Sequence, residues 1–134
     1  MLPALVLILC MVSCIEKEAI VEDLHISIKT VSTEDILIDY FAFSDSERSQ
    51  AVSTYDSLFQ MIKDHMDMGT YEVMSYTRAR KDWADVALVN PSEDQSSLVV
   101  VKYANGEYLY VKFDGNKVQS MITVRKGDLI SGWL

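Results

Sequence analysis

Apolar and polar positions alternate with three different periods along this chain, and each period predicts a different element. Behind Ser44-Asp45-Ser46-Glu47, apolar residues recur at Val52, Tyr55, Leu58 or Phe59, Ile62 and Met66. Steps of three and four place them on one stripe, which predicts a helix from about Asp45 to Asp67. Ser44 as N-cap with Glu47 three residues on forms a capping box, and Gly69 is placed to stop the helix. Earlier, HISIKTV (His25 to Val31) alternates and predicts a short strand with His25 at its surface. Ser32 followed by Glu34 and Asp35 resembles a helix start, and for the short, β-branched and aromatic ILIDYFAF behind it (Ile36 to Phe43) helix and strand compete, with a short helix favoured.

From Tyr71 the period becomes two. TYEVMSYTRAR (Thr70 to Arg80) alternates, ADVALVN is a short apolar run broken by Asn90-Pro91, and SLVVVKYA (Ser97 to Ala104) is β-branched. Asn105-Gly106 then predicts a hairpin. A two-residue loop there sets Tyr103 opposite Tyr108, Val101 opposite Tyr110 and Val100 opposite Val111. One face becomes Leu98, Val100, Leu109, Val111 and Phe113, which is core. The other becomes Val99, Val101, Tyr103, Tyr108 and Tyr110. Asp114-Gly115 turns into KVQSMITVRK (Lys117 to Lys126), a third strand of this set with two registers open to it. The tail GDLISGWL is a candidate cover for the tyrosine face.

These elements predict an α+β domain, with one main helix packed on an antiparallel meander of four or five strands. The order resembles the cystatin-like and nuclear-transport-factor-2-like architectures, in which a long helix lies across a curved sheet.

Composition adds a compartment. The run LPALVLILCMVS (residues 2–13) is apolar but for Ser13 and too short to span a bilayer, as the h-region of an export signal is. It ends in Met11-Val12-Ser13-Cys14, which resembles the lipobox of bacterial lipoproteins. That resemblance implies a signal over residues 1–13 and diacylglyceryl transfer to the Cys14 thiol. Cleavage before Cys14 and acylation (palmitate and the like) of the new terminus follow. Residues 14–24 would be a tether and residues 25–134 one domain. The chain would be anchored to a membrane of the bacterial cell envelope, and two or three acyl chains hold where one does not.

The net charge is −8, and residues 16–47 carry nine acidic and two basic residues of it. Such a surface repels phosphate backbones, which argues against nucleic acid as a partner. Neither histidine has a second His three or four residues away, and no phosphate-cradling or nucleophile-elbow motif occurs, so no metal, cofactor or catalytic residue is assigned. The candidate binding face is Tyr103, Tyr108 and Tyr110 with the basic and aromatic cluster Arg78, Arg80 and Trp83. The expected function is a non-catalytic module recognising an envelope protein, peptide or small ligand through its sheet. The alternatives are a small hydrolase or isomerase with a cavity between helix and sheet, and an acidic inhibitor or immunity-type protein.

Overall fold

The computed structural model describes the backbone from residue 4 and the side chains from residue 15 to the end of the chain. Helix α1 runs from Ala4 to Thr30. Residues 1–13 and Cys14, to which a signal and a lipid were assigned, lie outside the residues whose side chains are described. Residues 15–24 are not a tether, and His25–Val31 is not a strand. Val21, Leu24, His25 and Ile28 follow the three- and four-residue steps of a helix and are all buried, whereas Ile26 faces solvent. Each of the three aliphatic side chains gains about 1.5–3 kcal/mol from that burial, which outweighs the local alternation at Ile26 and Ile28. Among the described residues, no helix is long and apolar enough to cross a membrane.

Helix α2 (Thr33–Tyr40) and helix α3 (Asp45–Asp67) start where their capping residues stand. The Ser44 hydroxyl accepts the Glu47 amide at 3.2 Å and donates to its carboxylate at 2.8 Å. Gly69, just past α3, has φ +151°, and a Cβ there would lie 2.9 Å from that of Ala104. The helix end therefore sits directly on the tip of the central hairpin.

Strand β1 (Tyr71–Ser75) is followed by a short helix, α4 (Tyr76–Asp82), where a continuous strand was expected. The period changes at Tyr76: Tyr76, Ala79 and Trp83 are buried at helical spacing. Strand β2 (Leu88–Val89) and a 3-10 turn (Gln95–Ser97) lead into β3 (Leu98–Tyr103) and β4 (Tyr108–Asp114). Beyond them lie β5 (Lys117–Ser120), β6 (Thr123–Lys126) and β7 (Leu129–Trp133). The predicted third strand is thus two strands in different sheets. One sheet has the order β1-β3-β4-β5 and is antiparallel, and the other has the order β2-β7-β6. The fold class is α+β as predicted, with four helices in place of one main helix and a second sheet.

The hairpin register differs by one residue from the expected one: Val101 faces Leu109 and Val100 faces Tyr110. A two-residue type I′ turn needs φ > 0 at both central residues, and here only Gly106 (+87°) has it. The loop is instead three residues, closed by Gly106 N–H to Tyr103 O (3.0 Å) and Tyr103 N–H to Glu107 O (2.9 Å). The Asn105 side chain accepts the Glu107 amide at 3.0 Å, which holds this form. Shifting a strand by one residue exchanges its faces. Leu109, Val111 and Phe113 therefore join Val99, Val101 and Tyr103 under α1, α2 and α3, together with Val118. Leu98, Val100 and Tyr110 pack on the opposite side with Tyr76, Trp83, Val86 and Ile130. Ile130 belongs to the tail, which covers this second face with Trp133 packed alongside.

Replacing Gly69 with alanine should cost about 1–3 kcal/mol of stability in urea denaturation, through a strained φ and the close approach to Ala104. Adding Ala104→Gly should recover part of that loss. Two simply additive losses would show that the contact at the hairpin tip does not matter.

Candidate functional site

The two histidines meet at one tyrosine. His25 has no exposed surface. Its Nδ1 lies 2.8 Å from the Val21 carbonyl, which only accepts, so Nδ1 carries the proton. Nε2 is then the acceptor, and the Tyr103 hydroxyl donates to it at 2.7 Å. The His25 ring stacks on Tyr71 with centroids 4.7 Å apart. Burial, with a smaller contribution from Lys29 and partly offset by the Val21 hydrogen bond, pushes the His25 pKa down to about 4. Burial also raises the Tyr103 hydroxyl, with Tyr71 adding to it. Both groups are neutral at physiological pH, and each uses its polar atom on the other. On the far side of Tyr103 lies the His65 ring, at 5.0 Å, with its Nδ1 held by the Asn105 amide at 3.0 Å. The cluster fastens α1 and the end of α3 to the central strand. His25 is therefore not a surface residue. Its helical spacing with Val21 and Ile28 was the signal for this, and the apparent strand period hid it.

Among the described residues, no three His, Cys, Asp or Glu side chains are close enough to hold a metal ion.

The expected binding face is divided. Tyr103 points into the helix-covered core, while Tyr108 and Tyr110 lie on the opposite face. Trp83 and Tyr110 are buried there, and the Tyr110 hydroxyl accepts the Ala87 amide at 2.8 Å. Tyr76 donates to the Ala87 carbonyl at 2.8 Å, and Arg80 donates to that of Val86 at 2.8 Å. These side chains hold the segment from Trp83 to Val89 against the sheet. Arg78 only pairs with Asp82 on the surface at 3.7 Å, a contact worth less than about 1 kcal/mol. Lys102 lies 5.7 Å over Trp83 and 6.0 Å over Tyr108, and Arg125 lies 5.4 Å over Tyr110. The cluster is a wall of the second core, with cations stacked on its rim.

Next to that wall is a feature not foreseen from sequence. β5 pairs with β4 only at Lys112, Phe113 and Asp114, with a bulge between Lys112 and Phe113. The ladder stops because the next amides turn elsewhere: Met121 N–H goes to the Tyr55 hydroxyl (3.1 Å) and Ile122 N–H to the Ser120 hydroxyl (3.1 Å). β6, the next strand, is the edge of the other sheet and, among the described residues, has β7 as its one strand partner. A slot of about 230 Å³ is left between β4 and β6, floored by Leu109 and Met121 and walled by Leu58 and Met61 of α3. Its one charged lining side chain is Arg125.

The His25 pKa fixes a pH dependence. A base whose folded pKa lies below its unfolded value binds fewer protons when folded, so stability falls as pH falls. The loss should begin near 6.5, the ordinary histidine value, and be complete near 4. About 2.5 units correspond to about 3 kcal/mol at 1.36 kcal/mol per unit. Urea denaturation across this window should show that slope in the natural chain and lose it in His25→Gln. A slope unchanged in His25→Gln would place the acid-sensitive group elsewhere.

No family model, no curated protein and no solved structure matches the chain, so what these surfaces do rests on their own chemistry.

Proposed function

We propose that this chain is a non-catalytic binding module of the bacterial envelope. It is held to the membrane by lipid on Cys14 and recognises a protein or peptide partner through its sheet. The resemblance of Met11-Val12-Ser13-Cys14 to a lipobox supports the anchor. The observation that carries the reading is how soon after Cys14 the chain is fastened to the domain. The Lys17 ammonium donates to the Ser96 carbonyl at 3.1 Å, and the Glu18 carboxylate accepts the Ser75 amide at 2.8 Å. At about 1.5 Å of helix rise per residue, an acylated Cys14 would stand only about 5–6 Å along the helix from Lys17 and Glu18. Lipid there holds a rigid body against the bilayer instead of a domain on a leash. That suits a protein whose task is to present a surface at the membrane.

The side chains that most often carry catalysis are spent on structure in this reading. His25 and Tyr103 saturate each other, and His65 is paired with Asn105. What is left for a partner is the sheet edge between β4 and β6.

The intact mass of membrane-extracted protein, expressed in a bacterium, should correspond to residues 14–134 plus acyl chains. Cys14→Ala should lose that mass and leave the membrane fraction. Unmodified full-length chain in the soluble fraction would overturn the anchor.

A further inference from the structure

Strand β4 holds main-chain hydrogen-bonding groups that no other group among the described residues uses. Tyr103 N–H bonds Glu107 O across the hairpin. With the register of β3 and β4, this sets the alternation: Glu107, Leu109 and Val111 turn their main-chain groups toward β3, and Tyr108 and Tyr110 turn theirs away. On that outer side β5 has already ended, at the pair Lys112 and Ser120. Among the described residues, no main-chain or side-chain group bonds the amide or carbonyl of Tyr108 or Tyr110. Both residues line the slot, so these outward main-chain groups face it and are open to pairing with an added strand.

We infer that the slot between β4 and β6 takes a partner's extended segment, which adds to β4 as a strand and carries an acidic side chain for Arg125. This rests on the binding-module reading and names the chemistry of its partner. The backbone of the segment would meet the free edge of β4, with the free edge of β6 on its other side, so the two sheets would join through the guest. Side chains of a strand alternate, and the slot offers each kind a place. Those turned toward the helices meet Leu58, Met61, Leu109 and Met121, which are apolar. Those turned the other way meet Tyr110 with the Arg125 guanidinium over its ring. Arg125 has no carboxylate partner among the described residues, and it is the only charge on the lining. A carboxylate on the guest is complementary to it, and a lysine there is repelled.

The test uses the full-length chain, purified in detergent, and a displayed library of random short peptides as probe. Enriched peptides should alternate apolar residues and carry Asp or Glu. Hydrogen exchange on saturation with one of them should newly protect the Tyr108 and Tyr110 amides. N-methylation of that peptide should weaken binding about fivefold or more at every second residue and little in between, one hydrogen bond at a time. Arg125→Glu should weaken the acidic peptides about tenfold and turn the selection toward Lys and Arg. Met61→Asp, at an exposed position, should weaken all of them without unfolding the chain. Failure to enrich any peptide would overturn the slot, as would enriched peptides that neither protect these two amides nor respond to Arg125→Glu. Either result leaves the mass of the anchored protein, and so the anchor, untouched. Cleavage of a bound peptide would instead overturn the non-catalytic reading and keep the slot.

Discussion

Everything in this fold follows from a central hairpin that is apolar on both faces. Val99, Val101, Leu109 and Val111 lie on one side of β3 and β4, and Leu98, Val100 and Tyr110 on the other. A sheet of that kind is stable only with a cover on each face. Three helices supply the first, with α1 locked on by the His25 to Tyr103 hydrogen bond. The second is assembled from smaller pieces: α4, the segment through Val86 and Val89, and the strand carrying Ile130. Their buried polar groups are tied together by Tyr76 and Tyr110 through Ala87. The first cover precedes the hairpin in the chain and the second is drawn from both sides of it, so the N-terminal and C-terminal segments each help to close one face of the sheet.

Much of this was legible in the sequence, for physical reasons that can be named. The starts of α2 and α3 were marked by Ser32 and Ser44, whose hydroxyls do accept the amides expected of N-caps. The hairpin at Asn105-Gly106, the turn at Gly115 and the need for a second cover were also visible. What failed were places where two periods fit the same residues. His25, Ile26 and Ile28 alternate, yet Val21, Leu24 and Ile28 form a stripe, and burial against the sheet chose the stripe. Tyr76 continues a strand pattern and also begins the buried set Tyr76, Ala79 and Trp83. The hairpin register failed for a subtler reason. Asn105 suits a type I′ turn, but its side chain is taken by the Glu107 amide two residues on and by His65 from a distant part of the chain.

The register matters for the candidate site because it decides which groups are free. Under the expected pairing, three tyrosines would have shared one face and offered an aromatic patch. Under the observed one, Tyr103 is sealed with two histidines, and Tyr110 is a structural acceptor whose main chain opens on the slot beside Arg125. Of the aromatic residues singled out from sequence, Tyr108 and Tyr110 line the proposed recognition surface, while Tyr103 and Trp83 are buried in the two cores. The surface itself arises from a ladder that stops early, and no residue pattern announces that. It depends on Met121 and Ile122 giving their amides to Tyr55 and Ser120.

The most direct test of this account is the cross-strand contact between α-protons in a nuclear Overhauser spectrum. Non-hydrogen-bonded antiparallel pairs bring their Cα atoms to about 4.5 Å. The register places Lys102 with Tyr108 and Val100 with Tyr110 in such pairs. Strong contacts within those two pairs are the predicted result. Strong contacts between Tyr103 and Tyr108 and between Val101 and Tyr110 would contradict it. They would return the tyrosines to one face, expose a different edge of β4, and remove the basis for both covers and for the slot.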